Sequence, residues 1–235
     1  AELGDKSLHA VNRLYSQRFF FAQCGRLTAA GQMAERSFFK PAPANLYRIV
    51  FVGASTVQGF PHPRRLAAAS FFEAMLQDAM PDRVVEVFNL GITSIASFAV
   101  AQVVEDALVL EPDLVVVYTG HNEFYGIYGV GDHPTPRYNQ LDYALRQLHL
   151  THVVQGVVGL FEGSGVNSTD LLKLMAQRGE VSLGSPQRQA ATHHLQENLR
   201  RIGRICKDAQ VPLALCTLAA NDAGFSPVGS AAVDL

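Results

Sequence analysis

The chain has 235 residues, 48% of them hydrophobic and 17% charged, with 19 Lys and Arg against 21 Asp and Glu for a formal net charge of -2. That apolar fraction excludes a disordered chain and suits one large domain or two small ones. The near-neutral balance, with no basic run, leaves no electrostatic footprint for nucleic acid, and no apolar stretch reaches the roughly 18 to 20 residues needed to cross a bilayer.

In chain order, residues 1–45 lack a Lys/Arg start followed by an apolar run, so no signal peptide is read there. They carry aromatic clusters (Phe19, Phe20, Phe21, Phe38, Phe39) with Pro41 and Pro43, which predicts an irregular lead-in packed onto a domain spanning 46–235. Arg48 to Val52 is a short β-branched run stopped by Gly53; Val84 to Phe88, Leu114 to Tyr118 and Val211 to Cys216 repeat it, as buried parallel strands do. Helical patterns lie between them. Leu66 to Met80 is one, and Val100, Val103, Val104, Ala107 and Leu108 mark a second. Leu195, Leu199, Ile202 and Cys206 mark a third, with Arg200, Arg201 and Arg204 on another face.

Strands separated by helices need crossover connections, so the order predicts an α/β fold, a parallel sheet with helices on both faces and ligands at the carboxyl ends of its strands. The stretch 127–186, Gly-rich and containing His133-Pro134-Thr135-Pro136, reads as an insert or lid with helix near Tyr143 to Leu148 and Leu171 to Gln177. The three cysteines (Cys24, Cys206, Cys216) show no metal-ligand spacing, and no His/carboxylate cluster suggests zinc; no metal and no organic cofactor is expected.

The strand ends carry the chemistry. Gly53-Ala54-Ser55-Thr56-Val57-Gln58-Gly59 is a tight turn that would place the Ser55 hydroxyl at the mouth of the sheet. On this motif alone the commoner role is a helix N-cap, and a nucleophile is the alternative. A phosphate cradle lacks both G-x-G-x-x-G and a P-loop lysine. The second strand ends in Asn89-Leu90-Gly91-Ile92-Thr93-Ser94 and the third in Thr119-Gly120-His121-Asn122-Glu123. An acyl-transfer site needs a nucleophile and donors aimed at a developing oxyanion; the Ser55 N–H, an N–H near Ser94 and the Asn122 amide are candidates. Each loop also has an ordinary reading, since Asn89 and Asn122 can satisfy loop backbone and His121 can be a packed imidazole.

Together these blocks resemble the SGNH hydrolases, the GDSL-type esterase and lipase superfamily, from about Tyr47 to Ser230. The resemblance implies a three-layer α/β/α sandwich with a flavodoxin-like parallel sheet. Ser55, in Gly53-Ala54-Ser55-Thr56, would be nucleophile and first oxyanion donor. Gly91 and Ser94 would belong to the second block and Asn122 to the third, with Gly53, Thr56, Asn89, Gly120, His121 and Glu123 lining the substrate. The phrases Val87 to Thr93, Tyr118 to Gly126 and Asn221 to Pro227 look like bacterial envelope proteins that couple such a domain to tetratricopeptide repeats. That implies a cell-envelope setting, a membrane anchor in the full-length protein, and protein partners bound through repeats outside this sequence.

Two departures stand out. The family places glycine where this chain has Ser94, so a donor survives there unless the loop needs a positive φ. The family's D-x-x-H block is absent and the sequence stops at Leu235, which predicts a fragment lacking its last strand and its catalytic base. His62 and His121 read as structural, His193-His194 as a solvated helix face, and His133, His149 and His152 as part of the insert. The expected activity of the intact enzyme is hydrolysis of a small-molecule or glycan ester. The rivals are polysaccharide O-acetyl transfer and a non-catalytic module that grips an acyl or carbohydrate ligand.

Overall fold

The computed structural model describes residues 7–19, 33–130, 136–146, 181 and 184–219. Its centre is a parallel sheet of four strands, β3 (Leu46–Gly53), β4 (Val84–Gly91), β5 (Leu114–Tyr118) and β6 (Leu213–Leu215), in the spatial order β4-β3-β5-β6. The helices are α1 (Ser55–Gln58), α2 (Ala68–Ala79), α3 (Ser97–Ala107), α4 (Pro136–Arg146) and α5 (Pro186–Asp208). The chain is therefore α/β, and its strand order matches the first four strands of a flavodoxin-like doubly wound sheet.

Alternation along each strand builds two cores. Val50 and Val52 of β3, Phe88 and Leu90 of β4, and Val115 and Val117 of β5 pack beneath α3 and α5, where Val100, Val103, Val104, Ile202 and Cys206 are buried. Ile49, Val85, Val87 and Val116 point the other way, onto Ala69, Phe72 and Leu76 of α2. Both faces are covered, which is why these strands read as continuous apolar runs rather than as alternating ones. Register brings the carboxyl ends level: Gly53 is the partner of Gly91 on one side and of Tyr118 on the other.

The structure departs from the sequence expectations in several places. The lead-in is not wholly irregular, because β1 (Ser7–Ala10) pairs antiparallel with β2 (Ser37–Lys40). Phe38 anchors this ribbon, stacked on His9 at 5.5 Å and edge-on to Phe88 at 5.7 Å. Helix α2 begins at Ala68 because Arg64–Leu66 forms a 3-10 turn that ends at the extended Ala67. The last strand begins at Leu213, since Pro212 has no N–H to give and enters the ladder only through its carbonyl, which accepts from Val115 N. The insert's first helix is α4, centred earlier than expected; the second, near Leu171 to Gln177, lies outside the described residues, as does His133-Pro134-Thr135. Among the described residues no helix is long and apolar enough to cross a membrane.

Candidate active site

The site lies where β3, β4 and β5 end, at the point where the strand order reverses. Ser55 follows β3 by two residues and opens α1. The N-cap of that helix is Ala54, extended at φ -93°, with no side-chain cap bond. Ser55 is thus the first helical residue, its side chain is half-buried, and its hydroxyl has no protein partner among the described residues. The capping role, the commoner expectation for this serine, is not the one it plays. Its N–H and that of the exposed Thr56 lie in the first turn, where backbone donors lack helical acceptors.

Two glycines allow this turn to sit close against the sheet. A β-carbon at Gly53 would stand 2.2 Å from the Tyr118 carbonyl oxygen, and one at Gly91 would stand 2.2 Å from the Gln58 nitrogen. Gly91 is therefore the seat of α1 on β4. Its N–H donates to Asn89 Oδ1 at 3.0 Å, which leaves it no donor for an oxyanion. Asn89 itself is a strap, because its Nδ2 donates to the Val57 carbonyl at 2.8 Å. Both residues hold α1 in place, Asn89 through its Oδ1 and one amide proton.

After β4 the backbone runs through Ile92 and Thr93 to Ser94, which is buried and sits at φ 66°. The loop does need a left-handed residue here, and serine supplies it at some conformational cost. This segment is fastened to the loop after β5. Ile127 N donates to the Ser94 carbonyl at 2.8 Å, Ala96 N to the Ile127 carbonyl at 2.9 Å, and Asn122 Nδ2 to the Ile95 carbonyl at 3.1 Å. Asn122 thus spends one amide proton on the loop that carries Ser94, and the second has no protein acceptor among the described residues.

The remaining expected residues separate. Gly120, at φ 134°, forms the bend out of β5. His121 is exposed and lies edge-on to the Tyr118 ring at 5.0 Å. Glu123 does not face a substrate: it is 4% exposed, and its two oxygens accept from Ser97 N and Ser97 Oγ, each at 2.8 Å. The N-cap of α3, Ala96, offers no side-chain acceptor, so Glu123 caps that helix from a distant loop. Asn198 Nδ2 of α5 donates to the same Ser97 hydroxyl at 2.9 Å. Burial pushes the Glu123 carboxyl above its ordinary range, opposed by the two bonds from Ser97. His194 is also corrected: it is buried rather than solvated, and desolvation holds its imidazole below the ordinary value, while His193 is exposed and pairs with Glu197 at 3.3 Å.

Sequence reasoning missed Ser97, Asn198, Thr93 and Gln58. Thr93 and Gln58 are both buried, and the Thr93 hydroxyl donates to Gln58 Oε1 beside α1. Asn198 had a signal: it falls three residues after Leu195 and four before Ile202, a polar residue on the apolar stripe of its helix. No group of three or more metal-ligating side chains occurs among the described residues.

Comparison with known proteins yields no matching family model and no matching curated protein. Among solved structures, the chain is similar to AlinE4, an SGNH-hydrolase family esterase, at 16% identity over 73% of this chain and 77% of that one, with a TM-score of 0.32. It is similar to the acetyl xylan esterase AlAXEase at 16% identity, over 71% of this chain and 75% of that one, with a TM-score of 0.34. A catalytic mutant of Axe2, an acetylxylan esterase from Geobacillus stearothermophilus, matches at 15% identity over 71% and 74%, with a TM-score of 0.32. Likenesses this shallow leave the chemistry to be argued from the site itself.

Proposed function

We propose that this chain carries the nucleophile and oxyanion-binding loops of a serine-dependent acyl hydrolase acting on an O-acyl ester. The observation that supports this reading best is Ser55: a half-buried hydroxyl at the carboxyl end of the sheet, in the first turn of a helix that it does not cap and without a protein partner among the described residues. In the proposed reaction Ser55 Oγ attacks the ester carbonyl as a base removes its proton. The carbonyl oxygen becomes an oxyanion held by the Ser55 N–H, the Ser94 N–H and the second amide proton of Asn122. Collapse expels the alcohol, and water releases the acyl group from Ser55. The reaction needs no metal or organic cofactor. Among the described residues no histidine is hydrogen-bonded to Ser55, and none of them is assigned as the base.

Fluorophosphonate labelling tests the nucleophile directly. One adduct per chain, mapped to Ser55 by mass spectrometry and absent from Ser55→Ala, is the expected result. Asn122→Ala should slow the labelling by about 100 to 1,000-fold, the usual cost of one oxyanion donor. Saturable binding of an acylated sugar with no adduct at Ser55 would instead establish a binding module.

A further inference from the structure

A second cleft lies between α3, α4 and α5. It holds about 600 Å³ and is lined by Phe98 of α3, Gln140 of α4, and Glu197, Arg200, Arg201, Arg204 and Lys207 of α5. Four of the chain's 19 Lys and Arg residues thus fall within eight positions of one helix, in a protein whose net charge is -2. Arg201 is neutralised by Glu105 at 2.6 Å and lies over the Phe98 ring at 5.9 Å, so it belongs to the wall. The other three are different. Arg200, Arg204 and Lys207 are exposed, and among the described residues they form no ion pair or hydrogen bond.

Their spacing, i, i+4 and i+7, puts them on one stripe about 10 Å long at 1.5 Å per residue. The carboxylates on the same helix are Glu197, which pairs with His193, and Asp208 at its end, and Glu105 of α3 is taken by Arg201. A cation near a helix C-terminus interacts favourably with the macrodipole, and that accounts for Lys207. It does not account for two further unpaired arginines along the wall of a cleft. Like charges a turn apart repel by about 0.2–0.5 kcal/mol per pair, a repulsion that a bridging anion would relieve.

We infer that this cleft binds a small anion carrying two or more phosphate groups. Guanidinium forks match phosphate oxygens bidentately, which a point charge cannot do, and two of the three free cations are arginines. The row of charges favours an oligophosphate over a single phosphate. Neither Ser55 nor its donors enter this cleft, so the site stands or falls separately from the acyl chemistry.

Isothermal titration of the full chain with inorganic tripolyphosphate provides the test, with pyrophosphate and monophosphate as shorter probes. The expected result is one saturable site, affinity falling with each phosphate removed and with added salt. Arg204→Gln should weaken binding roughly tenfold, the scale of one charge-assisted contact. Arg200→Gln with Lys207→Gln should weaken it further, and Arg83→Gln, an exposed cation elsewhere, should leave it unchanged. All four side chains are exposed, and circular dichroism of each variant checks that it is folded. The inference is overturned if no saturable site appears, if Arg83→Gln weakens binding as much as Arg204→Gln, or if binding survives loss of the stripe. Binding only to vesicles of a phosphomonoester lipid, with none to soluble tripolyphosphate, overturns it too.

Discussion

Ser94 concentrates the conflict between local conformation and function. A left-handed backbone costs a non-glycine residue about 1–2 kcal/mol, and Ser94 adopts it at φ 66° in a buried loop pinned on both sides. Glycine removes that strain but adds about 0.4–1 kcal/mol of unfolded-state entropy. Ser94→Gly should therefore hold stability or raise it by up to ~1 kcal/mol, and Ser94→Val should lose about 2 kcal/mol or more, as read from urea midpoints. A clear loss in Ser94→Gly would mean that the side chain, not the backbone, is what the loop requires. The site was legible at this scale at Ser55, which stands at the mouth of the sheet as its turn predicts; the close approach at Gly53 and the positive φ at Ser94 came only with the structure. It was illegible where a polar side chain has a choice of partner. Asn89, Asn122 and Glu123 all follow strand ends in the sequence, yet Asn89 bonds backbone through both Oδ1 and Nδ2, Asn122 through Nδ2, and Glu123 turns into a helix cap.

The loops after β4 and β5 behave as one element. Five hydrogen bonds cross between residues 94–97 and 122–127, and Asn198, donating to Ser97, extends the same network to α5. Because the Glu123 pKa is raised in the fold, the native state favours its protonated form. Its contribution to stability is complete below the ordinary glutamate value near 4.3 and is lost as pH rises through the raised value. Glu123→Gln, uncharged at every pH, should abolish that decline. Urea unfolding from pH 4 to pH 8 should show wild type losing stability relative to the variant across this window, and parallel curves would show that the carboxyl is not desolvated. Glu123→Ala should cost more, about 1–3 kcal/mol for each stranded donor of Ser97. The strands and helices of this region were readable because each is a local pattern buried on a known face. The cap was not, since α3 has no Ser, Asp or Asn at its N-cap and takes its acceptor from 26 residues away. The β1–β2 ribbon escaped for the same reason, its register pairing Ser7 with Lys40 across a long separation.

At the scale of the whole molecule, Arg48 joins pieces that local patterns leave separate. It is fully buried in β3, where its Nε pairs with Glu86 of β4 at 3.0 Å, its Nη2 donates to the Phe39 carbonyl of β2 at 3.1 Å, and its Nη1 donates to the Leu110 carbonyl. Phe38 and Phe88 flank the guanidinium at 5.4 and 5.7 Å. Every branch of the fork is used, so a charge in an apolar core is tolerated, and the antiparallel ribbon is thereby tied to the main sheet. Arg36 makes a second tie, donating to Glu73 of α2 at 2.9 and 2.6 Å and to the Val87 carbonyl at 2.9 Å. Arg48→Met fills much of the space but strands the buried Leu110 carbonyl, the half-buried Phe39 carbonyl and the Glu86 carboxylate. Breaking a buried pair this way typically costs about 3–5 kcal/mol; Glu86 keeps some access to water, which places the expected loss near ~3 kcal/mol. Arg13→Ala, which removes an exposed pair with Glu35, should cost under about 1 kcal/mol. Hydrogen exchange separates a junction from a general core defect. If Arg48 is the tie, Arg48→Met should raise exchange first at the β1–β2 amides while β3 and β5 stay protected, whereas uniform loss of protection across both sheets would mean that the ribbon depends on the core as a whole.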